Sequence, residues 1–214
     1  MIDLQRLIAC GVSPSIARVI WADLAFACNQ FEINSVTQQA AFIAQAMHES
    51  RGFSHLEESL WYTTPQRITQ AFARLRASDH NVLLALCRNP KGLARAAYSR
   101  INGNGGLETE DGWTYRGGGP FQLTGRGNYK ACGQALDRPF ETQPELIRRT
   151  GQDAALSAAW FWHSRGCNTI MATDSFDSVT KMINGGMSGA AERRNLYIAC
   201  TAAFRHTEDD RRAA

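Results

Sequence analysis

No run of apolar residues in this sequence approaches the ~18–20 that a membrane helix needs, which excludes stable membrane insertion as an expectation. The opening residues, Met1-Ile-Asp-Leu-Gln-Arg6, lack the core of a secretory signal, because Asp3 and Arg6 interrupt it and no small-residue cleavage site follows. Synthesis in the cytoplasm is the expectation. The six cysteines include no Cys-x-x-Cys pair, so reduced, buried thiols acting as small hydrophobes are expected, with a few disulfides formed after release into an oxidising space as the alternative. His48-Glu49 opens like the zinc-protease pattern HExxH, but Ser50-Arg51-Gly52 follows and the second histidine is missing. The remaining histidines have no ligand spacing, so neither a metal nor any other cofactor is expected. A Gly-x-Ser-x-Gly elbow is absent, and Gly117-Gly118-Gly119 is not followed by the Gly-Lys-Ser/Thr of a phosphate loop. A net charge of +3 is too weak to argue for nucleic acid, though it suits a polyanionic wall.

What is present is enough for one domain. The chain has 214 residues, 44% hydrophobic and 20% charged, and no linker rich enough to divide it. A single catalytic domain over 1–214 is expected, with a small helical lobe inserted at about 64–100. Ser13-Pro14 reads as an N-cap and first helical residue. Residues 33–48 contain no Asp, Glu, Lys or Arg. Val36, Ala40, Ile43 and Met47 fall at helical spacing, and Gln38, Phe42, Gln45 and Glu49 make a second stripe. A helix without charge on either face is mostly buried, with Gly52 as its stop. Helices are also expected from Thr64-Pro65, over 79–88, 91–100, 144–149, 152–164 and 176–183, and from Ser188 to Phe204. Nine of the 18 glycines lie between Gly103 and Gly127, so that segment reads as loop and short strands that let backbone approach a partner closely.

The chemistry lies in carboxylates. Glu49 ends the charge-free helix, where desolvation favours the neutral acid that a proton donor needs; a helix-terminal Glu paired with Arg51 or another base is the alternative. Glu57 and Glu58 follow. On one uninterrupted helix nine residues turn through ~900°, placing Glu58 opposite Glu49, so the two converge only if the chain turns at Arg51-Gly52-Phe53. Two carboxyls of different role are the minimum equipment of a glycosidase. Trp61, Tyr62, Trp113, Tyr115 and Tyr129 offer flat rings that suit sugars, although some must serve the core. Gln122, Thr124 and Asn128 offer polar groups for water or hydroxyls, and Asn184-Gly185-Gly186 is a second polar turn. Arg193 and Arg194 are surface charges unless one orients a carboxylate.

These residues resemble glycoside hydrolase family 19, the chitinase-like lysozymes, and within it the phage endolysins. The stretches that carry the resemblance are Phe42-Ile-Ala-Gln-Ala-Met-His-Glu-Ser50, Phe53-Ser-His-Leu-Glu-Glu-Ser-Leu-Trp-Tyr62, Tyr98-Ser-Arg-Ile-Asn-Gly-Asn-Gly105, Gly112 through Tyr129, and Ile183-Asn-Gly-Gly186 with Arg193-Arg194. They span roughly residues 15–205 in order. The resemblance implies a mostly α, lysozyme-like fold with a substrate groove. It implies cleavage of β-1,4 bonds between amino sugars with inversion, without a cofactor. By resemblance Glu49 is the general acid, Glu58 the base that activates water, and Thr124 helps hold that water. Gln122 and Asn184 contact substrate, and one of Arg193 and Arg194 lines the groove. Glu57, Glu108 and Glu110 are the alternatives to Glu58. The family usually has a second arginine where Gly118 stands, so another group must replace it or the groove is looser. The expected partner is the glycan strand of bacterial peptidoglycan, met by a monomer after holin-type release or secretion. A chitinase acting on chitin and a non-catalytic glycan-binding module are the rivals.

Overall fold

The computed structural model of the chain describes residues 1–212, with side chains as far as residue 205. It is mostly helical and almost free of strand. The chain divides into two compact units. The first comprises Met1–Leu56, Gly119–Gln122 and Leu146–Ala214, and the second Glu57–Gly118 and Leu123–Glu145. Among the described residues no helix is long and apolar enough to cross a membrane.

The first unit holds α1 (Leu4–Ala9), α2 (Pro14–Gln30), α3 (Val36–Ser50), α9 (Gln152–Ser164), α10 (Cys167–Thr173), α11 (Phe176–Asn184) and α12 (Ala190–Arg212). The charge-free segment forms α3, and every residue from Gln39 to Met47 is buried. Its start is a capping box: Ser35 Oγ accepts from the Gln38 amide, while the Gln38 side chain accepts from the Ser35 amide. Phe42 lies edge-on to Trp162 at 5.6 Å and to Phe121 at 5.8 Å, and Phe121 stacks on Phe161 at 5.3 Å. α3 packs against α10 and α12, and α2 against α9.

α3 ends at the expected turn. Arg51, Gly52 and Phe53 all take positive φ, at 50°, 69° and 64°. Two of the three are not glycine, so the turn needs support. Ser50 supplies it: the buried hydroxyl donates to the Ala46 carbonyl and accepts from the Phe53 amide at 2.9 Å, and the Ser50 carbonyl accepts from the His55 amide at 2.9 Å.

The second unit holds α4 (Pro65–Ala71), α5 (His80–Leu86), α6 (Pro90–Tyr98), α7 (Asp111–Thr114) and α8 (Arg126–Leu136), with a 3-10 turn at Ala73–Leu75. Leu60, Ile68, Leu75, Leu83, Leu86, Leu93, Ala94 and Ala97 form its core, with Phe72 set edge-on between Tyr62 and Tyr98. The helices expected as a lobe over 64–100 belong to this unit, which continues through the glycine-rich segment to Glu145.

That segment departs from the expected loop in two places. α7 is one helical turn at Asp111–Thr114, and α8, a helix over Arg126–Leu136 that was not expected, starts inside the segment. Packing overrides the glycine penalty at α7: a Cβ on Gly112 would lie 2.5 Å from the Ala94 carbonyl, so only glycine lets α7 meet α6. The short strands reduce to two isolated antiparallel bridges, Glu57 with Gly118 and Gly118 with Leu123. Two other expectations shift. The last helix starts at Ala190, not Ser188, and 144–148 is a 3-10 turn. α1 and α10, one short turn or two each, lacked enough periodicity to stand out in the sequence.

Candidate active site

Each unit presents one of the predicted carboxylates. In the first, Glu49 is the penultimate residue of α3, and Gln45 lies one helical turn before it on the same face. Arg193 of α12 reaches both. Its Nη2 donates to Glu49 Oε1 at 2.6 Å and its Nη1 donates to Gln45 Oε1. Arg193 is 2% exposed and Gln45 fully buried. Of the two expectations for this carboxyl, the structure shows the pairing with a base, which is the buried guanidinium of Arg193 and not Arg51. His48 sits beside this pair, and burial together with the Arg193 charge lowers its pKa from the ordinary value of 6.5. Gly189, at φ +68°, is the residue that passes His48: a Cβ there would meet the imidazole Nε2 at 2.6 Å. The same unit carries Gln122 at φ 50°, its amide donating to the Gly119 carbonyl at 3.1 Å, and Asn184, exposed at the end of α11 with its amide on the Gly186 carbonyl.

In the second unit Glu58 is held by uncharged donors. Tyr98 donates its hydroxyl to Oε1 at 2.5 Å and the Gly117 amide donates to Oε2 at 3.1 Å. The Glu58 amide donates back to the Gly117 carbonyl at 2.9 Å, so backbone and side chain fix one another. Burial and the Glu58 charge push the Tyr98 phenol well above its ordinary value, and the Tyr62 phenol upward too. Both phenols therefore stay protonated at neutral pH, and Tyr98 keeps its proton to donate to Glu58. Thr124, part-buried, offers its backbone carbonyl to the Asn102 and Asn128 amides at 3.2 and 2.8 Å.

The alternatives to Glu58 are otherwise engaged. Glu57 accepts from Arg116 Nε at 2.9 Å, and that guanidinium lies 3.8 Å over the Trp113 ring while donating to the Trp113 carbonyl. Glu110 pairs with Lys91 and Arg95, and Glu108 caps the Gly106 amide. Gly118, where an arginine was the expected residue, exchanges two backbone hydrogen bonds with Leu123. The buried cation of this segment is Arg116, two residues earlier.

A sequence profile described as chitinase class I matches residues 22–175. The chain belongs to glycoside hydrolase family 19. A family 19 domain protein of Haemophilus influenzae is 37% identical over 162 residues, which is 76% of this chain and 78% of that protein. An endochitinase of Arabidopsis thaliana is 40% identical over 76 residues, covering 35% of this chain and 26% of its own length. Among solved structures, a bacterial family 19 chitinase superposes with a TM-score of 0.61 over 95% of both chains at 17% identity. Chitinase C from Streptomyces griseus superposes with a TM-score of 0.55, covering 86% of this chain and 67% of that one at 20% identity. These likenesses establish the lysozyme-like fold of the family, and membership makes the chain a chitinase-like glycoside hydrolase.

For this family 19 enzyme the structure sorts the predicted residues. It joins Arg193 to Glu49 and leaves Arg194 on the surface, forked onto Asp177 at 2.6 and 2.8 Å. Trp61 is 60% exposed, and Tyr62 lies part-buried beside Glu58. Tyr115 and Tyr129 are corrections. Both rings are buried, edge-on to each other at 5.5 Å, with hydroxyls on the Glu141 and Arg116 carbonyls, and no face is left for substrate. Three partners were not anticipated. Gln45 was legible from its place four residues before Glu49. Tyr98 and Arg116 were not, because each lies 40 or more residues from the carboxylate it holds. Among the described residues no cluster of His, Cys, Asp or Glu comes together to hold a metal ion.

Proposed function

We propose that this protein is an endolysin-type glycosidase that cuts the β-1,4-linked glycan strand of bacterial peptidoglycan. Glu49 protonates the leaving oxygen, and Glu58 takes a proton from the attacking water, with Thr124 contributing to the hold on that water. The observation that carries the reading is the contrast between the two carboxyls. Arg193 engages Glu49 Oε1, so its charge stabilises the carboxylate left when Oε2 gives up its proton. Among the described residues the donors to Glu58 are neutral, which orients it without cancelling the negative charge a base needs. Trp61, Tyr62, Gln122 and Asn184 contact the sugar units. The mild positive charge of the chain favours an anionic wall. In this reading the protein acts as a monomer and reaches the wall after holin-type release or secretion.

A second reading, chitinase action on chitin, is favoured by the endochitinases among the relatives. Mass spectrometry of digests separates the two. Purified peptidoglycan and chitin oligomers are treated in parallel with wild type and Glu49→Gln. New reducing-end muropeptides from wild type are expected, with activity reduced about 10²–10⁴-fold in the variant. Products from chitin alone move the protein to the second reading. Wild-type turnover by Glu49→Gln removes Glu49 from the mechanism.

A further inference from the structure

Behind the Arg193–Glu49 pair lies a chain of hydrogen bonds that substrate cannot touch. The Gln45 amide donates to Thr180 Oγ1 at 2.8 Å, and the Thr180 hydroxyl donates to the Phe176 carbonyl at 3.2 Å. Gln45 and Thr180 are both fully buried. The direction of every bond is forced. Arginine only donates, so the Gln45 atom that faces it is the carbonyl oxygen. The amide nitrogen then points at Thr180, whose hydroxyl must send its own proton elsewhere, and the Phe176 carbonyl receives it. Arg193 has a further anchor in the Ser188 carbonyl, 3.4 Å from Nε. The chain ties α3, α11 and α12 together at one guanidinium.

We propose that Gln45 and Thr180 are positioning residues: the buried Thr180–Gln45 pair fixes the guanidinium of Arg193, and Arg193 in turn fixes the carboxyl of Glu49. The identity of Gln45 matters as much as its place. A neutral acceptor holds the guanidinium without consuming its charge, so Glu49 is the carboxylate that pairs with it, while His48 beside the pair also feels the Arg193, Glu49 and Glu192 charges. A glutamate at the same position would share the guanidinium between two anions. This inference rests on the reading of Glu49 as the general acid.

Steady-state kinetics on a soluble N-acetylglucosamine hexamer and lysis of purified peptidoglycan test it, with Gln45→Met, Gln45→Glu, Thr180→Val, Thr180→Ser and Glu49→Gln assayed together. Thermal unfolding of each variant sets an assay temperature at which all are folded. Gln45→Met is expected to lower kcat about 10- to 100-fold, the scale of a small misplacement at a reacting group, while KM changes less than about twofold. Thr180→Val is expected to move in the same direction by less, and Thr180→Ser, which keeps the hydroxyl, to restore wild-type kcat. Gln45→Glu is expected to displace the alkaline limb of the pH–rate profile upward, because a second carboxylate then competes with Glu49 for the Arg193 guanidinium. If Glu49→Gln is inactive while Gln45→Met and Gln45→Glu keep wild-type kcat and pH limbs, the positioning role is overturned and the acid assignment survives. If Glu49→Gln turns over like wild type, the acid assignment falls and takes this role with it.

Discussion

A carboxylate acquires its role from what surrounds it, and the adjacent Glu57 and Glu58 show how far one step along a chain changes that. Glu57 is taken up by Arg116, itself held against Trp113. Glu58 faces the Tyr98 hydroxyl and one backbone amide. Glu57 has its charge committed to an arginine that also braces the Trp113 carbonyl, whereas Glu58, held by neutral donors, keeps its charge for accepting a proton. Tyr98→Phe is therefore expected to act on turnover. It removes one charge-assisted hydrogen bond, typically worth about 1.5–3 kcal/mol, from the group that activates water. A fall in kcat of about 10-fold or more is the expected result, measured at a temperature where the variant is folded, since the same lost bond lowers the melting temperature by several degrees while the ring still packs on Phe72. A wild-type kcat for this variant would show that the Gly117 amide suffices to hold Glu58.

At the scale of elements, the turn after α3 sets where the chain goes once it has placed Glu49. The need for a turn at Arg51-Gly52-Phe53 was legible from carboxylate spacing, and α3 itself from the missing charges. What holds the turn was not legible. Ser50 looks like any polar residue near a helix end, and only packing reveals that its hydroxyl pins Phe53 while donating to Ala46. The same limit hid α7. Glycine argues against a helix locally, and the approach of Asp111–Thr114 to α6, which outweighs that local preference, is a tertiary fact. It also misassigned Tyr115 and Tyr129, since an aromatic ring beside polar neighbours reads alike whether it faces a sugar or another ring. The turn carries its own test. Ser50→Ala leaves the buried Phe53 amide without that acceptor, at a cost of about 1–3 kcal/mol. Denaturation in urea is expected to show this loss as a lower midpoint with an unchanged slope. Activity should fall more than stability at temperatures where the variant is folded, because the residue next to Ser50 is Glu49. Equal loss of both would confine Ser50 to a structural role.

For the molecule as a whole, the proposed site of action sets a problem that the fold addresses through burial. An enzyme made in a reducing compartment and acting outside it exposes its thiols to oxidation, and six cysteines allow many wrong pairings. All six are free, and all but the half-buried Cys87 are buried. Reactivity needs the thiolate, and the interior disfavours it. Burial pushes the Cys167 thiol up to about 12 and Cys28 higher still, and Cys200 is raised by its hydrogen bond with Cys10 as well as by burial. The native protein is therefore expected to present a single fast-reacting thiol, Cys87, to a disulfide reagent such as dithionitrobenzoate at mildly alkaline pH. All six should react in concentrated guanidinium chloride. Activity should be indifferent to added reductant, since all six cysteines are free thiols in the folded structure. Rapid reaction of two or more thiols in the native protein would mean that a buried helix opens on the timescale of labelling. In that case protection would belong to the kinetics of opening, and Cys87→Ser would leave a fast phase behind instead of abolishing it.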